Sequence, residues 1–175
     1  MKKISLFAVL LAISVFGGNL SFESGTIKAH TEVFGDSRID PIAKRATSRL
    51  SMDTTPSTLQ GTIEVSMGDL ISDNKKRDVH MQEALESSSF PNAVFDVKEV
   101  VAKGGDRYIL KGMMNLHGVN RPMSFEGSVT EENGTLRIKM ASSMKMSDFG
   151  IKPIKMMFLT VRDQVDLNVD IVLKR

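Results

Sequence analysis

Seven separate stretches of this chain alternate apolar and polar side chains with a period of two. A period of two describes a strand with one buried and one wet face, and an amphipathic helix cannot satisfy it. In Thr26–Val33, Ile27, Ala29 and Val33 oppose Lys28, His30 and Glu32. In Leu59–Met67, Ile63, Val65 and Met67 oppose Thr62, Glu64 and Ser66. Ala93, Phe95 and Val97 oppose Asp96 and Lys98, and Tyr108, Leu110, Met114 and Leu116 share the next face. Met123, Phe125 and Val129 follow, then Leu136, Ile138, Met140, Met144 and Met146, and finally Val165, Leu167, Val169 and Ile171.

The breaks between these runs are turn signals. Lys103-Gly104-Gly105-Asp106 separates one pair, and Asn133-Gly134 separates another with the dipeptide most favoured in tight hairpins. The stretch from Asn115 to Phe125, NLHGVNRPMSF, reads as a third turn. Gly118 accepts positive φ, Asn120 tolerates turn geometry, and Pro122 sits at a strand start, where its missing N–H does least harm. Arg121 is placed to pair with a carboxylate or to cap turn carbonyls. Arg38 to Pro56 is polar and holds two prolines; it reads as one irregular strand or a long connection. One segment, Ser72–Ser87, is rich in helix formers and predicts a single helix of three turns or fewer. Asp73 is its expected cap, Met81, Ala84, Leu85 and Ser88 share one face, and it ends before Ser89-Phe90-Pro91.

Antiparallel strands joined by tight turns need a sandwich or a barrel, and closure removes exposed edges. The expected fold is all-β with one or two short helices, as a sandwich or as a barrel whose closure removes the edges. An eight-stranded barrel is just wide enough to be filled by side chains or to hold one small ligand. The inward residues here are mostly Met, Leu, Val and Ala, with nine Phe, one Tyr and no Trp in the whole chain. Thin, flexible side chains favour an elongated apolar cavity over a solid core, and the twelve methionines tolerate changing contents.

Composition narrows the function classes. Lys2 and Lys3 precede an apolar run from Ile4 to Phe16 and then small residues, the layout of a secretory leader. As a helix that run spans only about 20 Å, short of the ~30 Å hydrocarbon core. The division expected is a leader over residues 1–18, cleaved near Gly17 or Gly18, with an uncleaved anchor as the alternative, and one domain over residues 19–175 exported to the periplasm. Removing Lys2 and Lys3 takes the 23 basic residues to 21, equal to the 21 acidic ones. No basic stripe interleaved with aromatics is present, so nucleic acid is not an expected partner. The absence of cysteine excludes disulfides, thiolate catalysis and lipid attachment at Cys. The three histidines, His30, His80 and His117, come from distant segments without the spacing of a zinc site. No G-x-S-x-G elbow appears.

The stretch GMMNLHGVNRPMSFEGSV resembles the strand–turn–strand signature of the YceI-like family of polyisoprenoid- or lipid-binding periplasmic proteins. Arg77-Asp78, His80-Met81, Phe90-Pro91 and Phe95 are similar to that family's helix, loop and strand. Ser147–Ile151 followed by Asp163–Leu173 is similar to its final loop and strand. The match runs in order through most of residues 59–172, whereas Thr31 to Leu59 departs from the family's opening. The resemblance implies an extended, eight-stranded, lipocalin-like antiparallel barrel. It implies an interior pocket for a long isoprenoid, quinone or other lipid chain, and no catalytic residue.

The expected ligand-binding lining is Phe95, Val97, Tyr108, Leu110, Met114, Leu116, Met123, Phe125, Leu136, Ile138, Met140 and Met144, with Phe149 near a mouth. Tyr108, the only one with a hydroxyl, is the candidate to meet a head group. No cofactor, metal or catalytic residue is expected. Two other readings differ in class: a secreted, stress-related interaction module without a lipid, and a metal-dependent hydrolase. Met113 and the apolar segment Lys152–Val161, with Met156, Met157 and Phe158, offer a portal flap, a transient membrane contact or a homodimer contact.

Overall fold

The computed structural model describes residues 18–33, 37–152, 155–156 and 159–175. The chain opens with strand β1 (Gly18–Val33), followed by short β2 (Ser37–Ile39) and β3 (Ile42–Ala43), then β4 (Thr47–Met52) and β5 (Gln60–Ser66). Helix α1 (Lys75–Ala84) comes next. The strands β6 (Asn92–Gly104), β7 (Arg107–Leu116), β8 (Val119–Glu132) and β9 (Thr135–Lys145) form a meander. A small hairpin, β10 (Lys155–Met156) and β11 (Leu159–Thr160), precedes the last strand, β12 (Gln164–Lys174).

Eight of these strands close a ring in the order β1-β4-β5-β6-β7-β8-β9-β12, and β12 returns to β1. The closing register runs from Ser21↔Lys174 to His30↔Asp166. Each neighbouring pair is antiparallel. The seven alternating runs all became ring strands, because a closed sheet gives each of them one face to bury and leaves no edge unpaired. The eighth, β4, lies in the polar stretch that reads poorly in the sequence. Its buried positions Leu50 and Met52 are spaced by two, but polar Ser51 and the flanking prolines dilute the signal.

The two-residue turn at His117-Gly118 has φ of +53° and +72°, and that at Asn133-Gly134 has φ of +51° and +77°. Positive φ at both central positions makes these type I′ turns, whose twist matches the strands they join. The space at Gly118 is also constrained, since an added Cβ would lie 2.8 Å from the Phe90 ring. Arg121 caps a carbonyl, donating from Nε to Asp148 O at 3.0 Å.

One expectation about α1 is corrected. Its cap is Asn74, not Asp73: the Asn74 side-chain oxygen accepts from the Lys76 and Arg77 amides, each at 3.1 Å. Asn74 has the extended backbone that a cap requires, while Asp73 instead pairs with Arg77 at 3.1 Å.

The core divides along the barrel axis. At the end where β6 turns into β7, Leu20, Met52, Leu59, Val129, Leu136 and Leu173 are all buried to 3% exposure or less. That end is solid. The other end, where α1 lies, is not filled in the same way.

Candidate functional site

The β5 strand leads toward α1 at the open end. Beyond β5, Ile71 bridges to Ile42, and the Ser72 amide and hydroxyl both donate to Asp78, at 2.9 and 2.6 Å. At the far end of the helix, Gln82 Nε2 donates to the Met67 carbonyl at 2.6 Å, and the Met67 amide donates to Pro91 O at 2.7 Å. The helix is therefore pinned at both ends. No residue of α1 is fully buried. A helix tethered across a barrel mouth without sinking into it leaves space beneath.

That space is a cavity of about 480 Å³. Met81 and Ala84 of the helix and Leu85 at its C-cap face it, as the spacing of their shared face predicts; Ser88, expected on that face, lies beyond the helix end and does not line the cavity. Nine of the thirteen expected lining residues are brought together on its wall: Phe95, Val97, Leu110, Met114, Leu116, Phe125, Ile138, Met140 and Met144. The Phe95 and Phe125 rings meet edge to face with centroids 4.9 Å apart. Gly112 makes room for this pair: a Cβ there would lie 2.9 Å from the tip of the Phe95 ring and 2.1 Å from the Asp96 carbonyl.

Four expected residues lie off the wall. Leu136 and Phe149, each 1% exposed, are packing residues. Tyr108 and Met123 are half-buried against the core. Tyr108 sits near the start of β7, at the solid end, whereas α1 covers the opposite end. A head group lying at the helix would not reach its hydroxyl. The expected cavity running the length of the barrel is thus confined to one part. Its wall reaches no further than Leu50, Val97, Ile138 and Ile171, and the layer of Leu, Met and Val beyond them fills the ring. From Val165 to Ile171 along β12, at ~3.4 Å per residue and a tilt near 40°, the depth is about 15 Å.

Sequence reasoning left part of the wall out of the site. Ile27, Ala29 and Val33 of β1, Ile63 and Val65 of β5, and Val165, Leu167, Val169 and Ile171 of β12 line the cavity. Their period of two was the available signal. Leu50, Ile39 and Pro41 also line it, and the polar segment around them carries no comparable signal. Thr31 is an inward polar residue, but its hydroxyl is already bound to the Arg162 and Gln164 carbonyls, both at 3.0 Å.

The histidines occupy separate places. His30 Nδ1 lies 2.5 Å from Asp40 Oδ1 on the outside of β1. Burial pushes the Asp40 carboxyl up, but the His30 and Lys28 contacts outweigh it and hold the group below its ordinary value. His80 is on α1, 3.4 Å from Glu83. His117 sits in its turn, with Nδ1 3.2 Å from the Phe149 carbonyl and its ring 4.3 Å from that of Phe90. Among the described residues, no group of three or more His, Asp or Glu side chains is placed to hold a metal ion.

The YceI-like domain profile matches residues 16–173. The chain belongs to the YceI-like family. UPF0312 proteins of two Vibrio cholerae strains are similar to this YceI-like chain, at 31% identity over 98 residues. That match covers 51% of the chain and 52% of each relative, so the chain spans about half the length of the curated relatives it matches. The fold is similar to that of Burkholderia cenocepacia BcnA, with a TM-score of 0.75 and 14% identity over 85% of this chain and 95% of that one. It is also similar to a Campylobacter jejuni YCEI protein, with a TM-score of 0.56 and 14% identity over 100% of this chain and 99% of the other. The closed eight-stranded antiparallel barrel is shared with these YceI-fold structures.

The segment expected to act as a flap falls partly outside the described residues, as do Met157 and Phe158. Residues 1–17 of the leader expected over residues 1–18 also lie outside them.

Proposed function

We propose that this protein is a non-catalytic periplasmic carrier that holds an isoprenoid, quinone or other long-chain lipid in the barrel. The observation that carries the reading is the apolar cavity of about 480 Å³ beneath α1. Its volume falls within the ~300–1,000 Å³ range of small-molecule sites. A hydrocarbon chain entering it gains about 0.8 kcal/mol per methylene removed from water. Ten such groups supply about 8 kcal/mol, which corresponds to micromolar binding before ordering costs. The wall needs no polar contact to achieve this, and its methionines and branched aliphatics accept chains of varied shape.

The wall is about 15 Å deep, which takes a chain of roughly a dozen methylenes at the ~1.25 Å rise of an extended hydrocarbon. A longer isoprenoid extends out past α1. Export to the periplasm rests on the leader expected over residues 1–18. Cleavage near Gly17 or Gly18 spares Leu20, which is 2% exposed and part of the core.

The test is to express the full chain with its leader in a Gram-negative host, recover the exported protein, and extract it for unbiased lipid identification beside native mass spectrometry. A stoichiometric long-chain lipid is expected. Protein recovered empty, with no uptake of either prenyl or acyl probes, would defeat the reading.

A further inference from the structure

Among the described residues, the charges that line the cavity have one sign. Lys76 and Arg77 line it, together with Asn74 and His80, and no described carboxylate does. All four belong to the cap and first two turns of α1, at the mouth. Arg77 is 30% exposed in its side chain and is held by Asp73 at 3.1 Å and the Arg38 carbonyl at 3.5 Å, both through Nη1. A guanidinium has five N–H donors, so most remain for another acceptor. Its partner Asp73 is 89% exposed, and an ion pair that open to solvent holds its members weakly. Lys76 has no ion-pair partner among the described residues. The Asn74 oxygen is occupied by the helix cap, which leaves its amide nitrogen as a donor.

An apolar shaft with donors and cations at its entrance recognises an amphiphile by both ends. We infer that the ligand of this cavity is a single-chain amphiphile with an anionic head group, which Lys76 and Arg77 bind at the mouth while the chain occupies the barrel. This rests on the lipid-carrier reading and narrows it to a charge class. A neutral alcohol or prenol gains only the chain term, whereas a carboxylate or phosphate adds charge-assisted hydrogen bonds to the guanidinium and the ammonium.

The test uses the neutral dye N-phenyl-1-naphthylamine as reporter and three displacing probes of equal chain length: hexadecanoate, hexadecyl phosphate and hexadecan-1-ol. At low ionic strength the two anions are expected to bind about tenfold or more tighter than the alcohol, as one or two charge-assisted hydrogen bonds provide. Added salt narrows the gap, since the mouth is open to solvent. In the K76Q/R77Q variant the anions are expected to fall to the affinity of the alcohol while the alcohol is unchanged. The two side chains lie outside the packed core, and an unaltered circular dichroism spectrum and melting temperature confirm the fold. Equal binding of acid and alcohol by the wild type overturns the proposal and leaves the lipid carrier standing. So does an anion preference that survives the double substitution. If no chain, charged or neutral, displaces or binds, both the carrier reading and this one fail. The ratio of hexadecanoate to hexadecyl phosphate tells a carboxylate head from a phosphate.

Discussion

Replacing Ala93 with Phe separates a hollow barrel from a solid one by the sign of two measurements. Ala93 is half-buried on β6 and lines the cavity close to the helix-covered end. The substitution adds six carbons directed into open space. If that space is empty, the ring buries apolar surface without displacing protein atoms, and the fold gains about 0.5–2 kcal/mol, as cavity-filling changes do. For a chain of this size that raises the melting temperature by roughly 2–4 °C per kcal/mol. The same six carbons exclude a comparable length of ligand chain, about six methylenes. At about 0.8 kcal/mol each, the ligand loses up to roughly 5 kcal/mol, and less if its chain retreats toward the mouth. Stability therefore rises while affinity for hexadecan-1-ol or an acyl probe falls by at least tenfold. Guanidinium unfolding and dye displacement on the same preparation read both quantities. A drop in stability of 1–3 kcal/mol, the usual cost of overpacking, would refute the reasoning by showing that the interior is already full.

Three further outcomes follow from the same geometry. Leu173→Ala, at a position with 0% exposure in the solid end, should cost about 2–5 kcal/mol in unfolding experiments yet leave probe affinity within twofold, because the cavity does not extend there. Gly118→Ala should destabilise more than Gly134→Ala. Both place a Cβ on a left-handed residue at about 1–2 kcal/mol, but only at Gly118 does the new carbon collide with Phe90, whereas nothing lies within 4 Å at Gly134. Asp163 receives hydrogen bonds from the Ser147 hydroxyl and amide at 2.6 and 2.8 Å; these, the hydroxyl first, hold its carboxyl below the ordinary value. A lowered native pKa means stability that is present above the unfolded value near ~3.9 and lost as pH falls through the folded one. Asp163→Asn should therefore flatten the acid limb of a stability–pH curve below about pH 4 and leave the alkaline limb unchanged. An identical acid limb would remove this bond from the account.

Facing is legible from the alternating runs alone, because a period of two assigns strand residues to a face before any neighbour is known, except across the bulges of β1 and β6. Tyr108, Leu110, Met114 and Leu116 were legible as one face, and the Asn133-Gly134 turn was legible from residues that tolerate positive φ. At the other turn only Gly118 was: Asn120 and Pro122, expected in the turn and at the strand start, lie inside β8, and His117 takes the second positive φ. Together with the tight-turn spacing, these local rules were enough for an antiparallel sandwich or barrel, and the resemblance to the YceI-like family implied the eight-stranded ring. They could not say which inward residues meet across the ring. Leu136 and Ile138 share one face of one strand, yet the first is packed solid and the second walls a cavity. That difference depends on how many side chains converge at each level of the barrel, and on α1 spanning one end without entering it. The cap at Asn74 rather than Asp73 is decided locally, since Asp73 pairs with Arg77 one turn on. The polar stretch that hid β4 and the gathering of Lys76 and Arg77 over an apolar shaft are of the other kind. Each is set by contacts between residues far apart in the chain, and only closure of the ring brings those residues within reach of one another.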